Sequence, residues 1–203
     1  MNTDTTKQFY EEHADEFEEK TRDRQKKNWI EKLHTLVPHG GTILDLGCAY
    51  GRDAKTFVEL GYKVIGVDFS EAFIAKARVH VPEATFIVSD IREFSCADAS
   101  LDAVYASAIL LHIPKEDTKV VLRNMHRFLK PNGKLFFFLY VGQGEGLVAD
   151  ERYEGVEKYY AFFTKEEFRN FLVEAGYGVL EATEREKDSY ERQNVLEGIA
   201  VKL

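Results

Sequence analysis

The chain has 203 residues, 44% hydrophobic and 31% charged, which suits one soluble domain with a substantial core. Its formal net charge of −8 argues against tight, nonspecific binding to a phosphate backbone. Its two cysteines, Cys48 and Cys96, supply neither a disulfide framework nor zinc-ligand spacing, and no His pair at ligand spacing suggests another metal.

Residues 5–35 read as helical, with Phe9, His13 and Phe17 on one face and Trp29, Leu33 and Leu36 on a second. The basic run Arg22, Arg24, Lys26 and Lys27 reads as a solvated helix face, the alternative being a local basic patch. Pro38, Gly40 and Gly41 end this extension. Strands and helices then alternate. Strand 42–46 precedes helix 53–60, with Gly61 as C-cap, and strand 63–67 precedes helix 71–79, with Ser70 as N-cap. Strands 85–88 and 101–106, helix 115–129, a turn at Lys130-Pro131-Asn132-Gly133 and an apolar strand 134–140 come next. A Gly- and Tyr-rich stretch spans 142–163, and Thr164 with Glu167 forms a capping box for a helix that buries Phe168, Phe171, Leu172 and Ala175 and stops at Gly176. Segments 177–183 and 195–201 read as a closing antiparallel pair. The alternation implies a parallel α/β sheet with right-handed crossovers.

Residues 43–53, Ile-Leu-Asp-Leu-Gly-Cys-Ala-Tyr-Gly-Arg-Asp, carry the most information. An apolar run breaks into small residues and then enters a helix. Such a turn lets a ligand approach the backbone and the free N–H groups of a helix start. The dinucleotide fingerprint Gly-x-Gly-x-x-Gly fails, because Ala49 and Arg52 stand at its second and third glycines. The pattern that fits is acidic-x-Gly-x-small-x-Gly, from Asp45 through Gly47 and Ala49 to Gly51. Asp68, 23 residues after Asp45 and ending the second strand, is placed to accept both hydroxyls of a ribose.

On these residues the chain resembles the class I S-adenosylmethionine-dependent methyltransferases. Similar features include residues 106–113, Ala-Ser-Ala-Ile-Leu-Leu-His-Ile, like the small-molecule branch of the family, the turn at 129–133 and the helix end Glu174-Ala175-Gly176-Tyr177. The N-terminal Phe9, Tyr10, Glu11, Glu12 and Phe17 match as well, so the resemblance covers nearly the whole chain. It implies a Rossmann-like seven-stranded sheet, mostly parallel with a C-terminal antiparallel pair and helices on both faces. It further implies one methyltransferase domain over 1–203, with 1–40 a helical cap and 142–163 a substrate-side insertion.

The resemblance implies S-adenosyl-L-methionine as cofactor and S-adenosyl-L-homocysteine as product. The methionine moiety would lie against Asp45, Gly47, Cys48, Ala49 and Gly51, with Tyr10 over its carboxylate. Asp68, Phe69 and Ser70 would meet the ribose, Asp90 and Ile91 the adenine, while Ser107 and Leu111 line the pocket floor. Glycine is frequent in the family where this chain has Ala49, and alanine suffices unless that residue needs φ above zero. Methyl transfer from a sulfonium is an in-line displacement that needs a general base only if the acceptor arrives protonated. His112 is the candidate base, the alternative being a structural histidine. His13, Tyr140, Tyr159 and Tyr160 are candidate acceptor contacts, with Tyr153 completing an aromatic wall.

The expected activity is methylation of an O, N or S atom of a small molecule. Alternatives are a tRNA or protein methyltransferase and a non-catalytic protein that holds the cofactor or its product. The acidic balance and lack of an added recognition domain weigh against nucleic acid. The N-terminus lacks a signal pattern and no apolar run is long enough for a membrane span, so the expectation is a cytoplasmic monomer or homodimer.

Overall fold

The computed structural model describes residues 4–203. Helices α1 (Asp4–Glu12), α2 (Ala14–Thr21) and α3 (Lys27–Leu36) are followed by β1 (Thr42–Leu46), α4 (Arg52–Glu59), β2 (Lys63–Asp68), α5 (Glu71–His80), β3 (Thr85–Val88) and β4 (Leu101–Ser107). The remainder is α6 (Lys115–Phe128), β5 (Leu129–Tyr140), β6 (Glu145–Asp150), β7 (Val156–Ala161), α7 (Lys165–Glu174), β8 (Tyr177–Arg185) and β9 (Val195–Lys202).

Seven strands form one sheet in the order β3-β2-β1-β4-β5-β9-β8. β1 to β5 pair in parallel, and β9 inserts antiparallel between β5 and β8. Both faces are covered, which explains the uninterrupted apolar run of β5. Phe136 and Phe138 pack among residues of α3, α4 and α5, while Leu135 and Phe137 pack among those of α6 and α7. The chain leaves β1 toward β2 on one side and returns to β4 on the other. This reversal opens a crevice at the carboxyl ends of the strands.

Several expectations change. The N-terminal segment is three helices, and of these α3 belongs to the sheet's helical layer: Trp29, Ile30 and Leu33 are buried, whereas Leu36 is exposed. Arg22, Arg24 and Lys26 of the basic run lie in the connection between α2 and α3, and Lys27 begins α3. The 130–133 turn lies inside β5, where Asn132 has φ 64° and pairing with β4 jumps from Leu101↔Leu129 to Ala103↔Lys134. Leu129 is already paired, so the turn residues bulge from the ladder instead of preceding it. Residues 142–163 are organised by an antiparallel hairpin, β6–β7, that stands apart from the main sheet. Thr164 caps α7 by accepting from the Glu167 N–H at 3.1 Å, but the Glu167 carboxylate pairs with Lys115 and does not close the box.

Candidate functional site

At the carboxyl ends of β1 and β2, the turn after β1 is set by backbone geometry. Gly47 has φ 74°, and a Cβ there would lie 2.7 Å from Ile109. Gly51 has φ 84°, with Ala77 3.2 Å from its virtual Cβ. Between them Ala49 has φ 46°, so the alanine does occupy the left-handed region. Its N–H donates to Asp68 Oδ2 at 3.0 Å, and the Ser70 N–H donates to Oδ1 of the same carboxylate, also at 3.0 Å. Asp68 thus ties the glycine turn to the start of α5, where Ser70 Oγ accepts from the Phe73 N–H. Burial pushes the Asp68 carboxyl up to about 6, against those backbone hydrogen bonds.

Asp45 is only 3% exposed, and its Oδ2 is buried with no hydrogen-bond partner among the described residues. Burial, then the nearby Asp53 charge, raises its pKa well above the carboxylate range. A buried carboxylate with an unpaired oxygen is a standing demand for a cationic or hydrogen-bonding donor. Cys48 is buried and its thiol pKa is raised, by burial first, so it serves as packing and not as a nucleophile.

These groups line a cavity of about 750 Å³. Of the residues singled out from the sequence, the cavity brings together Tyr10, Asp45, Gly47, Cys48, Ala49, Asp68, Phe69, Ser107, Leu111, His112, Tyr140, Tyr153 and Tyr160. It does not include Gly51 and Ser70, which act through the turn and the α5 cap. Asp90 and Ile91 line a separate small cavity of about 40 Å³ that shares Phe69 and His112 with the first. Arg92 clamps the Asp90 carboxylate, which counteracts burial and holds its pKa below the ordinary value.

Two residues differ from expectation. His13 sits at the break between α1 and α2, stacked on Phe9 with its Nδ1 3.0 Å from the Phe9 carbonyl, away from the cavity. Tyr159 offers its backbone rather than its ring: its N–H donates to Thr6 and its carbonyl accepts from His112. Neighbouring residues of β7 point to opposite sides, so Tyr160 reaches the cavity and Tyr159 does not.

His112 has both ring nitrogens engaged. Nδ1 lies 2.9 Å from the Tyr159 carbonyl and must donate to it, leaving Nε2 to accept from the Tyr10 hydroxyl at 3.0 Å. Burial, then the Lys158 charge, pushes the imidazole down to about 3. This neutral ring, with both nitrogens engaged, joins α1 to the hairpin.

The sequence reading missed Arg152, Lys158 and Tyr190, all of which line the cavity, as do Arg24 and Lys26 of the supposed helix face. Arg24 pairs with Asp188 and lies over the Tyr190 ring, and Lys26 pairs with Glu191. β7 reads Val-Glu-Lys-Tyr-Tyr-Ala, with no alternation to flag Lys158; only its two-residue spacing from Tyr160 put it on the same face.

A family model described as a methyltransferase domain matches residues 43–133. The ubiquinone biosynthesis O-methyltransferase of Pseudomonas paraeruginosa is 34% identical over 115 residues, 54% of this chain and 47% of that protein. The chain therefore spans about half the length of the curated relatives it matches. A methyltransferase structure from Methanosarcina mazei superposes with a TM-score of 0.75 at 22% identity, over 85% of this chain and 97% of that one. The 1,6-didemethyltoxoflavin N1-methyltransferase of Burkholderia thailandensis, solved with bound 1,6-didemethyltoxoflavin and S-adenosylhomocysteine, gives 0.77 at 19% identity, over 98% of this chain and 87% of that one. Residues 43–133 thus match a methyltransferase domain, and the chain as a whole has the fold of the solved S-adenosylmethionine-dependent methyltransferases.

Proposed function

We propose that this protein transfers a methyl group from S-adenosylmethionine to a small-molecule acceptor, with residues 1–203 acting as one unit in which α1, α2 and the β6–β7 hairpin cover the acceptor side. The observation that carries the reading is Asp45, whose buried, unpartnered Oδ2 lies in the lining of a cavity beside a glycine turn. An amino-acid ammonium is the donor such an oxygen lacks. Asp68 retains lone pairs for ribose hydroxyls beyond its two backbone bonds, and the small cavity beside Asp90 and Ile91 suits the edge of a base. The residues therefore fit the cofactor of the family. When bound, that cofactor supplies a methyl group already activated on a sulfonium.

The protein's own part is to orient and to exclude water, an effect worth about 7–11 kcal/mol in well-aligned systems. Glu11 of α1 accepts from the Glu71 and Ala72 N–H groups at the start of α5. Tyr10 and Thr6 bind His112 and the hairpin. These contacts roof the cavity, whose volume is in the range of small-molecule sites. A small acceptor also accords with the relatives, one named for ubiquinone biosynthesis and one solved with bound 1,6-didemethyltoxoflavin.

Calorimetric titration with S-adenosylmethionine, S-adenosylhomocysteine and NAD tests the reading. Micromolar binding of the first two, lost in Asp68→Ala, is expected. Binding of NAD alone, or of none of the three, would sink it. A radiolabelled-methyl assay over O, N and S acceptors then identifies the reacting atom.

A further inference from the structure

The hairpin side of the cavity holds a charge imbalance that the cofactor site does not use. Asp150, 1% exposed, pairs with Arg152 at 2.7 Å and with Lys158, itself 1% exposed, at 2.7 Å. The Tyr160 hydroxyl donates to the same Oδ2 at 2.9 Å. Arg192 lies behind the cavity lining, over the Tyr160 ring at 4.9 Å from its centroid. It bonds the Ala149 carbonyl, has no ion pair among the described residues, and keeps Nη1 buried without a partner. Glu191 cannot compensate, because Lys26 and Arg185 already hold it. Two cations of the cavity lining, Arg152 and Lys158, thus share a single buried carboxylate in a chain whose overall charge is −8. Burial, with the charges of Arg152 and Arg192, pushes Lys158 down to about 8 despite its bond to Asp150.

Among the described residues, the buried part of the same cavity offers no free carboxylate or imidazole outside the glycine turn. His112 is engaged on both nitrogens, Asp53 is bound by Arg52, and Asp188 and Glu191 are paired. Asp45 and Asp68 belong to the cofactor turn, and Glu19 and Asp23 are exposed. An acceptor that must lose a proton is poorly served here, whereas one that arrives anionic needs no base. The rings of Tyr140, Tyr153, Tyr160 and Tyr190 supply flat walls.

We propose that the acceptor is a planar organic oxyanion, a carboxylate or a phenolate, held by Arg152 and Lys158 between the tyrosine rings. The inference rests on the methyltransferase reading. The acceptor oxygen's lone pair forms the bond to the methyl carbon as the carbon–sulfur bond breaks, the sulfur keeps that electron pair, and no proton needs to leave.

The test is calorimetry on protein saturated with S-adenosylhomocysteine, using benzoate beside benzamide and 4-nitrophenolate beside 4-nitroanisole. At least one anion should bind about ten-fold more tightly than its neutral partner, the scale of a charge-assisted hydrogen bond. The pair that shows the preference identifies carboxylate or phenolate as the source. Arg152→Gln should reduce the preference to about three-fold or less, Arg152→Lys, which keeps the charge, should retain it, and a melting curve checks that each variant is folded. Equal binding of anion and neutral partner, binding of none of the probes, a preference that survives in folded Arg152→Gln, or one lost in folded Arg152→Lys would overturn the inference. Failure of S-adenosylhomocysteine to bind would instead overturn the methyltransferase reading.

Discussion

Ala49 is an alanine where the backbone asks for glycine. Its φ of 46° puts a Cβ in the left-handed region, at a cost of about 1–2 kcal/mol, and its N–H bond to Asp68 holds it there. Ala49→Gly should therefore raise unfolding free energy by about 1 kcal/mol in urea denaturation, since the strain relieved exceeds glycine's added chain entropy. Asp68 sets a pH dependence. Its folded value of about 6 lies above the unfolded value of about 3.9, so its contribution to stability is complete below about pH 4 and is lost as pH rises through about 6. The shift corresponds to about 2–3 kcal/mol. Denaturation midpoints at pH 4.5 and 7 should differ more in the native protein than in Asp68→Asn. Cofactor affinity should run the other way: the ionised carboxylate accepts ribose hydroxyls, so affinity falls as pH drops through about 6.

At the scale of the element, the hairpin is held by a polar cluster rather than by a core of its own. Asp150 accepts from Arg152, Lys158 and Tyr160, and although burial alone would raise its pKa, these partners hold it well below the carboxylate range. The Lys158 ammonium also lies 4.2 Å from the Phe9 ring centroid and 4.4 Å from that of Tyr153, so the cluster fixes α1 against the hairpin. Removing the one carboxylate leaves buried cations unmatched. Asp150→Asn should cost about 3–5 kcal/mol in chemical denaturation. Replacement of an exposed pair such as Lys55–Glu59, at 4.0 Å, should change stability by less than about 0.5 kcal/mol.

Across the whole molecule the sheet is rigid and the cover is assembled from distant parts. α1 contributes Tyr10, the α2–α3 connection Arg24 and Lys26, the hairpin Arg152 and Lys158, and the β8–β9 connection Tyr190. Each is pinned by a few side-chain bonds, whereas the central strands share long ladders. Local opening should thus begin in the cover. Hydrogen exchange with and without S-adenosylhomocysteine should show added protection over residues 4–26 and 145–161, with β1, β4 and β5 already protected in the free protein. Equal added protection throughout the sheet would contradict that division.

Strand and helix boundaries from residue 42 to 128 were legible because short-range rules govern them. The two-residue and helical periods, the Ser70 cap and the Gly61 stop each act within a few residues. The glycine turn and Asp68 were legible for the same reason, since the end of a buried strand constrains the next few residues of the chain. Other features depend on contacts over 100 residues apart. The Tyr10–His112 bond spans 102 positions and engages the candidate base. The Tyr159 N–H bond to Thr6 spans 153 positions, and Lys20 reaches the Arg152 carbonyl across 132. No local pattern specifies such partners, so the composition of the acceptor side, its buried surplus of positive charge and the protonation of His112 were decided only when the chain folded. The glycine turn is written in a contiguous motif, while the opposite wall of the cavity is a property of tertiary packing.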